Sequence, residues 1–291
     1  MPKWLVTGAS GLLGHHVCDY LVSQDTEVIA LHNHHPVDVP KVKSYALDLL
    51  DEEKLQVLMT EERPDYIFHT AALANVDQCQ KFPQDAHRYN VEIPHSLAKI
   101  AHNIGSKLVH VTTDQLWMGD KANVTEDEPT SPINIYGETK ALSETLVLEQ
   151  APSSIVLRTN FFGKGRPWRK SFSDWLQYEL LQGNPIQGFE DIFYSPIALD
   201  YLVPLAISLA NNNAQGIFHL VGGERVSKYQ FIEQFIGIMG LDISLVKKCS
   251  FRDAHLQAPR PMDMSLSVKK VEAFLGTKMP SVQDSILTLL K

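Results

Sequence analysis

Apolar residues along the chain come in short continuous runs separated by stretches of helical spacing. Trp4-Leu5-Val6 is followed by Thr7-Gly8-Ala9-Ser10-Gly11-Leu12-Leu13-Gly14, after which Val17, Tyr20, Leu21 and Val22 recur at helical intervals up to Gln24-Asp25. Glu27-Val28-Ile29-Ala30-Leu31 is a second run, closed by a polar loop rich in His and Pro. Short apolar runs read as buried strands and a 3.6-residue period as an amphipathic helix. The first 30 or so residues therefore predict strand, glycine loop, helix and strand, a βαβ unit.

The alternation continues. A helical segment around Leu55–Thr60 ends at Arg63-Pro64-Asp65, and Tyr66-Ile67-Phe68 reads as a strand. Tyr89–Ala101 is a helix, Lys107–Val111 a strand, Gly137–Gln150 an amphipathic helix and Ser154–Leu157 a strand. Each parallel crossover needs a helix, so this order predicts an α/β fold with a Rossmann-type, doubly wound parallel sheet. Beyond Gly163 the texture changes to Gly, Pro and aromatic residues. Residues 1–163 are read as the dinucleotide-binding domain and 164–291 as a smaller C-terminal substrate-binding domain. A strand at Ile217–Leu220 is a candidate to return to the sheet.

Composition narrows the function. The chain has 291 residues, 44% hydrophobic and 21% charged, which is globular rather than disordered. With 26 Lys and Arg against 34 Asp and Glu, the net charge of −8 disfavours a nucleic-acid or anionic-membrane partner. Three dispersed cysteines, Cys18, Cys79 and Cys249, form neither a disulfide framework nor a zinc pattern and fit a reducing compartment. The longest apolar stretch, Leu202–Ala210, contains Pro204 and falls short of the roughly 20 residues a membrane span needs. Met1-Pro2-Lys3 runs straight into the first strand without a signal-peptide pattern, so the expected location is cytoplasmic.

Small residues in this first loop allow the backbone to turn tightly and approach a pyrophosphate, and the N-terminus of the following helix offers unpaired N–H groups. Gly14 lets that helix pack close to the strand. Three glycines also make a plain turn, but their place between a strand and an amphipathic helix points to a dinucleotide. A carboxylate at the end of the second strand would repel an adenosine 2′-phosphate. Here the strand ends in Leu31-His32-Asn33-His34-His35, where His32 and Asn33 could donate to that phosphate. NADP(H) is thus slightly favoured over NAD(H), though no Arg clamps the site. Twelve histidines suggest a metal, yet no second ligand group follows His32, His34 and His35 at metal-binding spacing, so none is expected.

Tyr136 and Lys140 are one helical turn apart. An ammonium beside a phenol is expected to lower its pKa from about 10 towards neutrality. The pair follows a strand ending in Thr112-Thr113-Asp114, at the sheet edge where ligands bind. Thr7-Gly8-x-x-Gly11-x-x-Gly14, Thr113 and Tyr136-x-x-x-Lys140 together resemble the extended short-chain dehydrogenase/reductase superfamily. Asp48-Leu49, Pro64–Ala72, Asn75-Val76-Asp77, Val111–Asp114, Pro132-x-x-x-Tyr136-Gly137-x-x-Lys140 and Ala258-Pro259-Arg260-Pro261 resemble, more closely, its dTDP-4-dehydrorhamnose reductase family.

The resemblance implies a reductase of polysaccharide biosynthesis acting on a keto group of a nucleotide-activated sugar. Tyr136 would be the general acid, Lys140 would hold the nicotinamide ribose and tune Tyr136, and Thr113 would bond the substrate carbonyl. Gly8, Ser10, Gly11, Leu12, Leu13 and Gly14 would cradle the pyrophosphate. Asp48-Leu49 would meet the adenine, Ala71-Ala72 the ribose, and Asn90 would support the strand behind the site. Asp114-Gln115 stands where family reductases carry Asp-Tyr and related dehydratases Asp-Glu; Gln115 cannot ionise, which favours simple reduction. Asp191–Pro196, including Tyr194, departs from the family pattern where the sugar is expected, and Arg158–Gly163 is one residue short.

Lys164–Lys170 is the most basic stretch, with Phe172 and Trp175 close behind. Cations suit a diphosphate and a ring suits a base, so Arg166 and Trp168 are candidate substrate contacts; a solvated loop would use the same residues. Arg260, between two prolines, and Asn160, past a strand end, are further candidates. Two other functions compete. One is an epimerase of the same superfamily. The other is a regulatory subunit resembling the β subunit of methionine adenosyltransferase, which binds a partner. A homodimer is compatible with each.

Overall fold

A computed structural model of the chain describes residues 2–253 and 257–290. The chain begins with β1 (Lys3–Thr7), α1 (Leu12–Ser23), β2 (Glu27–His32), β3 (Lys43–Ala46), α2 (Glu52–Glu62) and β4 (Tyr66–His69). Short helices α3 (Val76–Lys81) and α4 (Pro83–His87) lead through a π turn at Arg88–Glu92 into α5 (Ile93–Ile104), β5 (Lys107–Thr113), α6 (Ile135–Gln150) and β6 (Ile155–Thr159). Then come β7 (Phe161–Phe162), α7 (Phe172–Leu181), β8 (Ile186–Phe189), β9 (Phe193–Tyr194), β10 (Ile197–Ala198), α8 (Leu199–Asn211) and β11 (Gly216–His219). The remainder holds β12 (Val226–Ser227), α9 (Lys228–Met239), β13 (Val246–Cys249), α10 (Lys269–Leu275) and α11 (Val282–Leu287).

Seven parallel strands form the central sheet in the order β11-β6-β5-β4-β1-β2-β3. Winding runs outward from β1 in one direction and from β4 in the other, so the crevice of an open α/β sheet lies above the carboxyl ends of β1 and β4. Alternate residues serve opposite faces. Trp4, Val6, Val28, Ala30, Phe68 and Val109 pack in one core with Val17 and Leu21 of α1 and Leu202 and Val203 of α8. Leu5, Ile29, Leu31, Ile67 and Leu108 pack in the other with Leu55 and Met59 of α2, Leu97 of α5 and Val147 of α6. Burial on both faces explains why these strands read as unbroken apolar runs. β3 escapes the sequence pattern because Lys43-Ser44-Tyr45-Ala46 is a largely exposed edge strand.

A further core forms around Phe231, whose ring meets those of Phe162, Phe172, Tyr194 and Phe235. It joins α7, α9 and α11. After residue 163 the chain also rejoins the sheet: β11 pairs with β6, and α8 packs on α1.

Candidate active site

A cavity of about 570 Å³ opens at the β1–β4 crevice, within the roughly 300–1,000 Å³ of ligand sites. Gly8, Ser10, Gly11, Leu12, Leu13, His32, Asn33, Asp48, Leu49, Ala71, Ala72, Tyr136 and Lys140 all line it, so two loops, a strand end and a helix separated in sequence meet there. Gly8 has φ +63°, and a Cβ on it would sit 2.8 Å from the Ala71 backbone nitrogen. Gly14 does not line the cavity; a Cβ there would stand 2.3 Å from the Gly8 carbonyl oxygen, so α1 lies directly against the loop. Gly11 caps α1 without a side chain, and its first turn carries no acidic residue. These N–H groups can receive an anion, as a dinucleotide pyrophosphate requires.

Thr70 lines the cavity and donates to the Thr7 carbonyl at 2.7 Å, tying β4 to β1 beneath it. Asn90 stands behind the wall, buried. Its Oδ1 accepts from the Leu73 N–H at 2.9 Å, and its amide donates to the Leu73 carbonyl at 3.1 Å and to Thr139 at 3.3 Å. It positions the segment after β4 against the helix carrying Tyr136 rather than facing the cavity.

Asn134 caps α6, accepting from the Gly137 N–H at 2.8 Å and donating to the Pro259 carbonyl at 3.0 Å. Gly137 is needed because a Cβ there would be 2.3 Å from the Gln115 carbonyl oxygen. This brings the first turn of α6 against the end of β5. Thr113 hydrogen-bonds Tyr136, but the phenol's pKa rises above the usual tyrosine value because burial disfavours phenolate and the bond only partly opposes that. The expected fall towards neutrality does not occur. Lys140 Nζ instead donates to the Val111 carbonyl at 2.8 Å. Burial pushes Lys140 down to about 8, with Glu144 opposing. The site thus presents a protonated phenol and a lysine that gives up its proton more easily than usual.

Beyond Thr113 lies a second polar group. Asp114 accepts from Thr113 at 3.3 Å and from Asn160 at 2.6 Å, and burial pushes it up to about 6. Lys228, at the start of α9, lies 3.3 Å from the Tyr194 ring centroid, and burial pushes it down to about 8 while Asp114 draws it up. Tyr194 is buried, with its hydroxyl unpartnered. Gln115 receives a bond from Asn134 at 3.5 Å. The structure thus joins Asp114, Asn160 and Tyr194, and adds Lys228, a cation that no local motif marks.

The remaining candidates sit elsewhere. Arg260 is paired with Asp77 at 3.1 Å and with the Ala258 carbonyl at 2.9 Å, pinning its segment beside α3. Arg166 and Trp168 lie over the glycine loop, not beside Asp114 and Asn160. Arg166 meets Asp19 of α1 at 2.8 Å, and Trp168 donates to the Ser10 carbonyl at 3.1 Å. Arg169 and Lys170 line the cavity instead. Sequence reasoning also missed the buried Arg158–Glu144 pair at 2.7 Å, to which Thr112 adds a bond at 2.6 Å. It ties β6 and β5 to α6.

Fold and site together define an NAD(P)-dependent oxidoreductase of the short-chain dehydrogenase/reductase type. The chain belongs to the RmlD substrate binding domain family, whose model matches residues 2–291. It is 28% identical over 291 residues to the probable low-salt glycan biosynthesis reductase Agl14 of Haloferax volcanii, covering 98% of this chain and 96% of that protein. A hypothetical dTDP-4-dehydrorhamnose reductase from Sulfolobus tokodaii superposes with a TM-score of 0.85 at 30% identity, over 96% of this chain and 97% of that one. The dTDP-4-dehydrorhamnose reductase from Bacillus anthracis, solved with NADP, shares the fold at a TM-score of 0.88 and 23% identity, over 99% and 98% of the two chains. Among the described residues no helix is long and apolar enough to cross a membrane.

Proposed function

We propose that this chain reduces a keto group on a nucleotide-activated sugar, with NADPH as the preferred reductant. The observation that carries this reading is the placement of the Tyr136 phenol and Lys140, one helical turn apart, in the wall of a cavity that suits a dinucleotide, with Thr113 at the adjoining end of β5. Reduction needs a proton donor at neutral pH, and a buried phenol that keeps its proton is one. A bound reduced nicotinamide supplies the hydride. Tyr136 gives its proton to the carbonyl oxygen. Thr113, whose Oγ1 accepts from the Gln115 N–H at 3.2 Å, holds that oxygen in line. Lys140 places a cation at the ribose and steadies the charge left on the phenol. Gln115 offers no base for dehydration.

Gly8 to Leu13 hold the pyrophosphate, and Asp48, Leu49, Ala71 and Ala72 the adenosine half. Asn160, just past β6, and Tyr194 and Lys228 from beyond residue 163 provide the sugar side. The names of the relatives favour a dTDP-linked 4-keto sugar. The test is purified protein with NADPH and a panel of 4-keto nucleotide sugars, followed by NADPH absorbance. Oxidation with one sugar supports the proposal. Inversion of a sugar centre with no net oxidation would replace it with an epimerase. Binding of NADPH with no reaction on any sugar would move the chain to the regulatory class.

A further inference from the structure

We infer that the cation selecting NADPH over NADH comes not from the end of β2 but from the loop preceding α7, and that it is Arg169. The inference rests on the dinucleotide reading of the cavity. The segment following β2, Asn33-His34-His35-Pro36, contains neither Lys nor Arg to attract an adenosine 2′-phosphate. It contains no carboxylate to repel one either, and among the described residues lining the cavity Asp48 is the one acidic residue.

The loop Lys164–Ser171 lies opposite. Arg166 and Arg169 exchange backbone hydrogen bonds of 3.0 and 2.9 Å, making a tight turn with Pro167-Trp168 at its tip. That tip is fastened at three points. The Trp168 indole N–H donates to the Ser10 carbonyl at 3.1 Å. The Trp168 ring stacks on His35 with centroids 5.6 Å apart and planes at 14°. Arg166 pairs with Asp19 at 2.8 Å. The tip therefore bridges the glycine loop and the loop after β2, the two segments that flank the adenosine ribose in a Rossmann fold.

Arg169 follows the tip directly and lines the same cavity as Ser10, His32 and Asn33. Its neighbours in the turn are engaged elsewhere: Arg166 is paired with Asp19, and the Lys170 ammonium lies 4.4 Å from the Tyr178 ring centroid. Among the described residues no carboxylate pairs with Arg169 and no ring receives it. The guanidinium of Arg169, an exposed residue lining an anion-binding cavity, has its donors fixed in a planar fork that matches a phosphate monoester in charge and geometry. His32 and Asn33 complete the recognition from the β2 side. The sequence feature that left the cofactor undecided, a β2 end with neither acid nor base, is thereby resolved by a residue more than a hundred positions away.

Isothermal titration of the wild type and Arg169→Ala with 2′,5′-ADP and with 5′-ADP tests this without turnover. The wild type should bind 2′,5′-ADP at least about tenfold more tightly than 5′-ADP, a difference expected for a charge-assisted contact. Arg169→Ala should remove most of that advantage and leave 5′-ADP within about twofold, while Arg169→Lys should restore part of it. Equal weakening of both ligands would assign Arg169 to the pyrophosphate and overturn the inference. So would an unchanged ratio, or a wild type without preference. If the binding contrast holds and no keto sugar is reduced, the inference stands and the proposed reaction fails.

Discussion

The cavity has two walls of opposite construction. On the β1–α1 side the backbone itself makes contact: Gly8 and Gly14 have no room for a Cβ, and Leu5, Val6 and Val17 behind them are completely buried. On the other side the turn at Arg166–Arg169 is held by one solvent-exposed ion pair, one indole hydrogen bond and one ring stack, with Trp168 itself 41% exposed. The first wall recognises a dinucleotide by shape, and any added atom disrupts it. The second contributes charge from a detachable segment, where each contact is worth about 1 kcal/mol or less. If Arg169 acts as proposed, affinity for the common part of NAD(P)H and preference between its two forms are separable properties of separate elements.

The largest effect is expected beneath the rigid wall. Glu144→Gln leaves the Arg158 guanidinium buried without its carboxylate and should lower stability by about 3–5 kcal/mol, measured by chemical denaturation. Lys140→Met should do the opposite to stability while abolishing reduction. Burial depresses Lys140 from 10.5 to about 8, so the unfolded lysine holds its proton more tightly than the folded one. The resulting penalty, up to roughly 3 kcal/mol, is full below pH 8 and fades as pH rises towards 10.5. The variant should therefore melt above the wild type at pH 7, and the gap should close in alkaline buffer.

Gly14→Ala forces a Cβ to 2.3 Å from the Gly8 carbonyl oxygen. About 1–3 kcal/mol of stability should be lost, with NADPH and NADH affinity falling together in fluorescence titrations. Unequal losses would break the separation of the two walls. The smallest effect belongs to the detachable side. Asp19→Asn removes the exposed partner of Arg166 and should change stability by less than about 1 kcal/mol, yet speed NADPH release in stopped-flow measurements.

Much of the rigid wall was legible in the amino-acid order because its signals are local. Trp4–Val6, the glycines and Glu27–Leu31 act within one βαβ unit, and Tyr136 and Lys140 sit one turn apart. What escaped depends on tertiary placement. Arg166 and Trp168 were visible as a basic aromatic loop, but their destination is set by Asp19 and Ser10, 147 and 158 positions away. Lys228 has meaning only beside Asp114. The Tyr136–Lys140 spacing was legible, whereas the burial that raises the phenol's pKa was not. β3 lacked an apolar pattern because an exposed edge strand has little need of one.

The most direct test of the account is Tyr136→Phe, assayed for both NADPH binding and keto-sugar reduction. The phenol's single role is to deliver a proton, so binding should stay within about twofold while turnover falls by roughly 100-fold or more. Turnover close to the wild-type rate, with binding intact, would contradict it.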